Sequence, residues 1–347
     1  MKKTDKIYIA GHNGLVGSAI LKHLKNKGYT NFVCFSHDEL DLTNQVKVEK
    51  MFAKEKPDYV VLAAAKVGGI MANNTYRADF IYENLQIQNN IIHSAYLHGV
   101  KKLLFLGSSC IYPKNAKQPI KEEYLLTDEL EYTNEPYGVA KIAGLKMCES
   151  YNLQYGTNFI SVMPTNLYGN NDNFDLEKSH VMPALIRKMH LAKLLSENKF
   201  DEICKDLGVA NINEAREYLA KFGVSENSVE IWGSGKPLRE FLHVDDMAAA
   251  SVFVLENVDF KDICGNGEIK NTHINVGFGS DISIKDLAYM IKDIVGFSGE
   301  IVFNVAKPDG TMKKLMDSSK LNKLGFIPKI SLEEGIKSVY ENYKEKF

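Results

Sequence analysis

The sequence is short of several things, and each shortage removes a class of protein. Its five cysteines (Cys34, Cys110, Cys148, Cys204 and Cys264) are odd in number, scattered and without a CxxC pair. That argues against a disulfide framework or a zinc site and for a reducing cytoplasm. No apolar run is long enough to cross a bilayer and no apolar leader opens the chain, so neither a membrane nor secretion is expected. Charge of one sign is also missing: 42 Lys and Arg face 44 Asp and Glu, a formal net charge of −2. Such a balance offers no basic surface to nucleic acid. Proline is sparse, nine in 347 residues, and no linker, repeat or low-complexity tract interrupts the chain. What remains is an ordinary globular composition, 45% hydrophobic and 25% charged, long enough for one large or two ordinary domains.

What is present starts near the N-terminus. In "KIYIAGHNGLVGSAILKHLKNKGY" a short apolar strand, Ile7 to Ala10, turns through glycines into a helix with Ile20, Leu21 and Leu24 on one face. Gly11, Gly14 and Gly17 form GxxGxxG. The first permits a tight turn, the second lets a pyrophosphate approach the backbone, and the third lets the helix pack against the strand. The phosphates then lie at a helix N-terminus, where free N–H groups and the dipole favour negative charge.

The same rhythm continues. "NFVCF", "DYVVLAAA", "KKLLFLG" and "NFISVM" read as strands, and the stretches between them as helices. Near-continuously apolar strands alternating with helices predict a Rossmann-type, doubly wound parallel α/β sheet buried on both faces. Ligands bind such sheets beyond the carboxyl ends of the strands. The ribose-reading position after the second strand is ambiguous: Ser36 is not an acid, His37 is only sometimes a cation, and Asp38 can equally cap "DELDL".

Tyr137 and Lys141 form YxxxK in "NEPYGVAKIAG", a spacing that puts both on one helix face. An ammonium beside a phenol lowers its pKa and tunes Tyr137 as a proton donor to a carbonyl oxygen that accepts a hydride. Ser108 or Ser109, after the fourth strand in "LGSSCIYP", can hydrogen-bond the same oxygen. Cys110 reads either as a small buried hydrophobe or as a base, and His180, in "EKSHVMPAL", either as a helix cap or as an acid.

The order of these blocks resembles the extended short-chain dehydrogenase/reductase superfamily and, within it, the GDP-L-fucose synthase family. The likeness rests on "IAGHNGLVGSAI", "AAAKVGGIMANNTYRADFIYEN", "LGSSCIYPKNAKQPI", "NEPYGVAKIAG", "VMPTNLYGNNDNFD", "SHVMPALIRK", "WGSGKPLREFLHVDDMAAAS", "HINVGFG" and "KPDGT", nearly the whole length. It implies a 3,5-epimerase and 4-reductase acting on a GDP-4-keto-6-deoxy sugar, with Ser108, Tyr137 and Lys141 for reduction and Cys110 and His180 for epimerisation. A 4-keto group acidifies the protons on C3 and C5, so an acid–base pair can invert either centre through an enolate. The implied cofactor is NADPH, held by Gly11, Asn13, Gly14, Leu15, Val16 and Gly17, by His37, Asp41 and Leu42, by Ala63, Ala64 and Ala65, and by Tyr137, Lys141, Pro164 and His180. The family carries arginine where this chain has Asn13 and His37; NADPH is still expected, because Ser36 is not an acid and reductive biosynthesis draws on it. The resemblance also implies a cytoplasmic homodimer packed through the helices around 76–98 and 136–155.

For the sugar nucleotide the candidates are Ser109, Asn166, Trp232 to pack near the base, and Arg239, whose planar fork suits a diphosphate, with Lys188 and Lys314 as further cations. No metal is expected. The dinucleotide-binding domain is expected over 1–165 and about 241–265, and an interleaved, smaller α/β substrate domain over about 166–240 and 266–347. "FLHVDDMAAASVFVLEN" reads as a returning strand and helix of the first. The stretch 194–228 is longer than the resemblance predicts and reads as two amphipathic helices anchored by Ile203, Leu207, Leu219 and Phe222, either reshaping the pocket for a larger sugar such as a heptose or elaborating the surface. Three rivals are less well served. A 4,6-dehydratase would show an acidic pair where "SSCIY" stands, a UDP-sugar 4-epimerase would need no external hydride, and a non-catalytic dinucleotide sensor would not need Ser, Tyr and Lys together.

Overall fold

The computed structural model describes residues 1–265 and 267–346. Asn266 and Phe347, which bound the expected domain ranges, lie outside the described residues. Two compact units emerge. The first comprises Met1–Leu167, Phe241–Gly279 and Leu315–Lys329; the second comprises Tyr168–Glu240, Ser280–Lys314 and the chain from Ile330 onward.

The first unit alternates strand and helix: β1 (Ile7–Ala10), α1 (Leu15–Asn26), β2 (Phe32–Val33), α2 (Gln45–Glu55), β3 (Tyr59–Leu62), α3 (Ile70–Thr75), α4 (Arg77–Leu97), β4 (Lys102–Leu106), α5 (Glu135–Tyr155) and β5 (Phe159–Pro164). The strands make one six-stranded sheet in the order β2–β1–β3–β4–β5 followed by Ile274–Val276, every pairing parallel. The chain leaves β1 towards β2 and returns to β3 on the other side, so the order reverses beside β1, the switch point where ligands enter such sheets.

Pleating explains why the strands read as continuous apolar runs. Ile7 and Ile9 point into one core with Ile20 and Leu24 of α1 and Met247, Ala248 and Val252 of the helix Val244–Asn257. Tyr8 and Ala10 point into the other with Phe52 of α2, Ile91 of α4 and Leu145 of α5. Fully burying each large side chain contributes about 1.5–3 kcal/mol. The α4–α5 pair is locked by a hydrogen bond from the Gln88 side chain to the Ala140 carbonyl at 2.7 Å and by the stacked rings of Tyr96 and Tyr155, 4.3 Å apart.

The returning segment needs a correction. Helix Val244–Asn257 packs on α1 as expected, but the strand before it, Leu238–His243, does not join the parallel sheet. It pairs antiparallel with Asp281–Ser283 and parallel with Lys313–Lys314. The sixth place in the parallel sheet goes to Ile274–Val276, a buried three-residue strand too short to stand out in sequence. Correspondingly, 266–279 and 315–329, grouped by sequence with the substrate domain, belong to the first unit by their contacts.

In the second unit, Ser228–Trp232 pairs parallel with Glu300–Asn304. The stretch 194–228 forms the helices Phe200–Leu207 and Ile212–Ala220. Ile203 and Leu219 are fully buried, Leu207 and Phe222 half-buried. Buried Asp206 accepts from Arg187 of the helix Val181–Ser196 at 2.9 Å and from the Tyr343 hydroxyl of the C-terminal helix Leu332–Lys346. These helices are therefore anchored in the unit's core by one face each and exposed on the other.

Candidate active site

Beyond β1 the backbone makes a cradle. Gly11 has φ +87°, a left-handed conformation, and a Cβ on Gly17 would stand 2.1 Å from the Gly11 carbonyl oxygen. Gly14 caps α1 without a side-chain acceptor, so the cap gives the first-turn N–H groups no partner. Half-buried His12 has its Nδ1 buried and without a hydrogen-bond partner. Open amides at a helix N-terminus, a turn with no room for side chains and an unmet polar atom suit a dinucleotide's phosphates. Asn13 is exposed and Leu15 and Val16 half-buried on the same turn. Ala63, Ala64 and Ala65 follow β3 and Pro164 ends β5, all half-buried where the strand residues before them are buried. After β2, His37 is exposed, the Glu39 carboxylate is engaged by the Ser36 N–H and hydroxyl at 2.7 and 2.8 Å, and Asp41 by Thr43 at 2.7 and 2.9 Å. These bonds hold the Glu39 and Asp41 carboxyls below the usual carboxylate range. Leu42 is half-buried beside Asp41.

Beyond β4 the site is made of side chains. Ser108 caps a one-turn helix, Ser109–Ile111, its Oγ accepting from the Cys110 N–H at 3.2 Å. The same hydroxyl lies near enough to the Tyr137 phenol to oppose the rise in its pKa. Lys141 Nζ donates to the Leu106 carbonyl at the strand's end, 2.9 Å away, and lies 5.8 Å from the Tyr137 ring centre. Strand end, serine, tyrosine and lysine are thus brought together. Ser109 is buried beside them. From beneath, the Tyr112 hydroxyl meets His273 Nε2 at 2.9 Å and donates to Asn275 Oδ1, fastening this turn to the sixth strand. Burial pushes the His273 pKa down to about 3, so the neutral ring donates its Nε2–H to the Tyr112 oxygen.

One sequence expectation is reversed. Lysine was expected to lower the phenol's pKa, yet burial, with Cys110 adding to it, raises Tyr137 above the ordinary value against the pull of the Ser108 hydroxyl. Burial likewise pushes Lys141 down to about 8. Desolvation of both groups outweighs an attraction across 5.8 Å. Tyr137 is therefore held as a protonated phenol, the state needed to donate.

Sequence reasoning missed Asn134. Its Nδ2 lies 3.4 Å from Cys110 Sγ, and its Oδ1 is buried without a partner. The only signal was its place before YxxxK, where an asparagine reads as a helix cap.

The remaining candidates lie in the second unit, except Asn166, which lies in the first. His180 holds the N-cap position of Val181–Ser196, but its side chain makes no capping bond, which removes the cap as its reason. Lys188 donates to the carbonyls of Phe222 and Glu230 at 2.7 and 3.2 Å, and burial pushes its pKa down to about 8. Arg239 donates to the carbonyls of Leu238 and Thr311. Both cations thus have backbone partners. Trp232 is 58% exposed, with Lys307 Nζ 5.0 Å from its ring centre. Lys314 ends the strand Lys313–Lys314, and Asn166 begins the half-buried start of Asn166–Tyr168. No group of side chains able to hold a metal occurs among the described residues.

The family profile described as "NAD dependent epimerase/dehydratase family" matches residues 7–277, a span that holds both the glycine cradle and the Ser–Tyr–Lys set. The chain belongs to that family and is an enzyme of it. More narrowly, it is similar to GDP-L-fucose synthase 1 of Arabidopsis thaliana, 54% identical over 341 residues, 98% of this chain and 94% of that one. A solved GDP-6-OMe-4-keto-L-xylo-heptose reductase from C. jejuni matches at 55% identity with a TM-score of 0.97, over 100% of this chain and 99% of that one. A GDP-mannoheptose C4 reductase from Campylobacter jejuni, solved with NADP bound, matches at 55% identity with a TM-score of 0.90 over 99% of each chain.

Proposed function

We propose that the protein is a bifunctional enzyme that inverts C3 and C5 of a GDP-4-keto-6-deoxy sugar and reduces its C4 carbonyl, drawing on NADPH. The observation that carries this reading is the convergence of Ser108, Tyr137, Lys141 and Cys110 beyond the end of one buried strand.

Epimerisation comes first. The Cys110 sulfur takes the proton from C3 or C5, and the electron pair of the broken C–H bond moves onto the 4-keto oxygen as an enolate. A proton from His180 on the opposite face restores the carbonyl with the centre inverted. The Ser108 hydroxyl steadies the oxygen that carries the charge. Bound NADPH supplies the hydride to C4. Tyr137 gives its proton to the C4 oxygen in that step, and charged Lys141 stabilises the phenolate left behind. The cofactor-holding set is the cradle Gly11, Asn13, Gly14, Leu15, Val16 and Gly17, with His37, Asp41, Leu42, Ala63, Ala64, Ala65, Tyr137, Lys141, Pro164 and His180. NADPH is favoured over NADH because Ser36, after β2, is not an acid and because the GDP-mannoheptose C4 reductase at 55% identity was solved with NADP bound. Asn166 and Ser109 are assigned to the sugar, Trp232 to the base, and Arg239, Lys188 and Lys314 to the diphosphate.

A second reading has a specific support. Two solved relatives at 55% identity are named as a GDP-6-OMe-4-keto-L-xylo-heptose reductase and a GDP-mannoheptose C4 reductase, so a GDP-4-keto-heptose is the alternative substrate. We further infer a homodimer through α4 and α5, whose outer faces expose Tyr82, Leu97, Leu153 and Tyr155, and a cytoplasmic setting, consistent with five free cysteines. No helix among the described residues is long and apolar enough to cross a membrane.

The test is NMR of the product formed from GDP-4-keto-6-deoxy-mannose and NADPH in deuterated water. Deuterium at C3 and C5 of a reduced sugar supports the bifunctional reading. Reduction without deuterium leaves a 4-reductase, and turnover only of the heptose analogue moves the substrate to the second reading.

A further inference from the structure

We propose that Asn134 is a positioning residue for the base: its side-chain amide donates a hydrogen bond to the Cys110 sulfur and holds it in the deprotonated form that removes the sugar proton. This rests on the assignment of Cys110 as that base.

The first argument is what Asn134 does not do. It occupies the N-cap position of α5, where asparagine ordinarily accepts a bond from the helix's first amides, yet its side chain makes no such bond. The preceding one-turn helix, Tyr132–Asn134, has its own cap in Glu131, whose carboxylate accepts from the Thr133 and Asn134 N–H groups at 3.1 and 3.3 Å. The Asn134 side chain turns away from α5, and its Nδ2 reaches Cys110 Sγ at 3.4 Å.

The second argument is the cost of that choice. Asn134 Oδ1 is buried without a partner. A buried acceptor left unpaired is expensive, and a neutral thiol could have satisfied it by donating its S–H. With the amide turned so that its N–H faces sulfur, the arrangement complements a thiolate.

The third argument is that the surroundings hold the turn in place. Arg77 of α4 donates to the Tyr132 carbonyl at 2.7 Å, stacks on the Tyr132 ring with 4.3 Å to its centre, and lies 3.6 Å from the Glu135 carboxylate. On the other side, a Cβ on Gly138 would stand 2.9 Å from the Cys110 carbonyl oxygen, so α5 packs directly against the cysteine's backbone. The charged and titratable groups on these packed elements include Tyr137 and Lys141 of α5, Glu131, Tyr132 and Glu135 flanking Asn134, and Arg77 of α4. When the substrate C–H bond breaks, its proton passes to sulfur and its electron pair to the 4-keto oxygen. The amide bond is strongest before that transfer and weakens as the charge leaves sulfur. Solvent then takes the sulfur's proton, and the base is restored.

The test reads Cys110 directly, in cofactor-free protein, by the rate of iodoacetamide alkylation of its peptide across pH, followed by mass spectrometry. Removing the donor in Asn134→Ala should move the profile up by about one pH unit, slowing alkylation at pH 7 about tenfold. Asn134→Asp keeps the shape but sets a carboxylate against the sulfur, so it should move the profile further. NADPH binding by both variants should stay as in the wild type, and deuterium uptake at C3 and C5 should fall with the alkylation rate. An unmoved profile in both variants, or an Asp variant that behaves as wild type, would reduce Asn134 to packing and overturn the proposal. Cys110→Ser separates the two levels. If that variant still epimerises, the base assignment itself fails. If it does not, and the Asn134 profiles are unmoved, only the present proposal fails.

Discussion

Two turns of the first unit invite comparison, because each follows a buried strand of the same parallel sheet. The turn after β1 is made of backbone: Gly11 takes a conformation other residues resist, and Gly17 clears the space against which α1 packs. The turn after β4 is made of side chains: Ser108, Cys110, Asn134, Tyr137 and Lys141, drawn from the turn and from α5. On the proposed function, the first offers N–H groups to a phosphate and the second carries the side chains that react. One sheet would then keep binding and chemistry on separate strand ends, which is how a single fold serves many reactions.

The comparison can be broken from either side. Gly17→Val should have the largest effect, since its Cβ would overlap the Gly11 carbonyl at 2.1 Å. NADPH binding measured by calorimetry should disappear, and the melting temperature should fall. Tyr137→Phe should attack only the second turn. Reduction should slow by about 10²- to 10⁴-fold, the usual worth of a general acid, while deuterium exchange at C3 and C5 persists.

A pH profile sharpens the same point. Lys141, pushed down to about 8 by burial, is charged below that pH and neutral above it. The rate of C4 reduction should therefore fall on the alkaline side, about tenfold per pH unit once past pH 8, and Lys141→Arg should shift that limb upward. The smallest expected effect is His37→Arg at the exposed position after β2. A permanent planar cation there should raise the preference for NADPH over NADH about three- to tenfold, read as a ratio of kcat/KM values.

Much of this was legible in the sequence because it is written locally. The strand–glycine–helix opening, the order of the first five strands and the YxxxK face each depend on residues close along the chain. The strand Leu238–His243 was legible as a strand but not as a member of its sheet, because partner choice rests on registers with residues some 40 to 75 positions away. Ile274–Val276 was too short to show any period of its own. Asn134 illustrates the deeper limit. Its letter and position describe a helix cap, and only the fold reveals that its side chain makes no capping bond and reaches Cys110, 24 residues away.

The sequence by itself therefore determined the class of fold and the glycine turn and named the side chains proposed to react, since hydrophobic periodicity and turn chemistry act between neighbours. Only the tertiary structure decided the protonation balance of Tyr137 and Lys141, the partner of Cys110 and the allotment of the late strands. Those depend on desolvation and on contacts through space, and neither exists until the chain has packed.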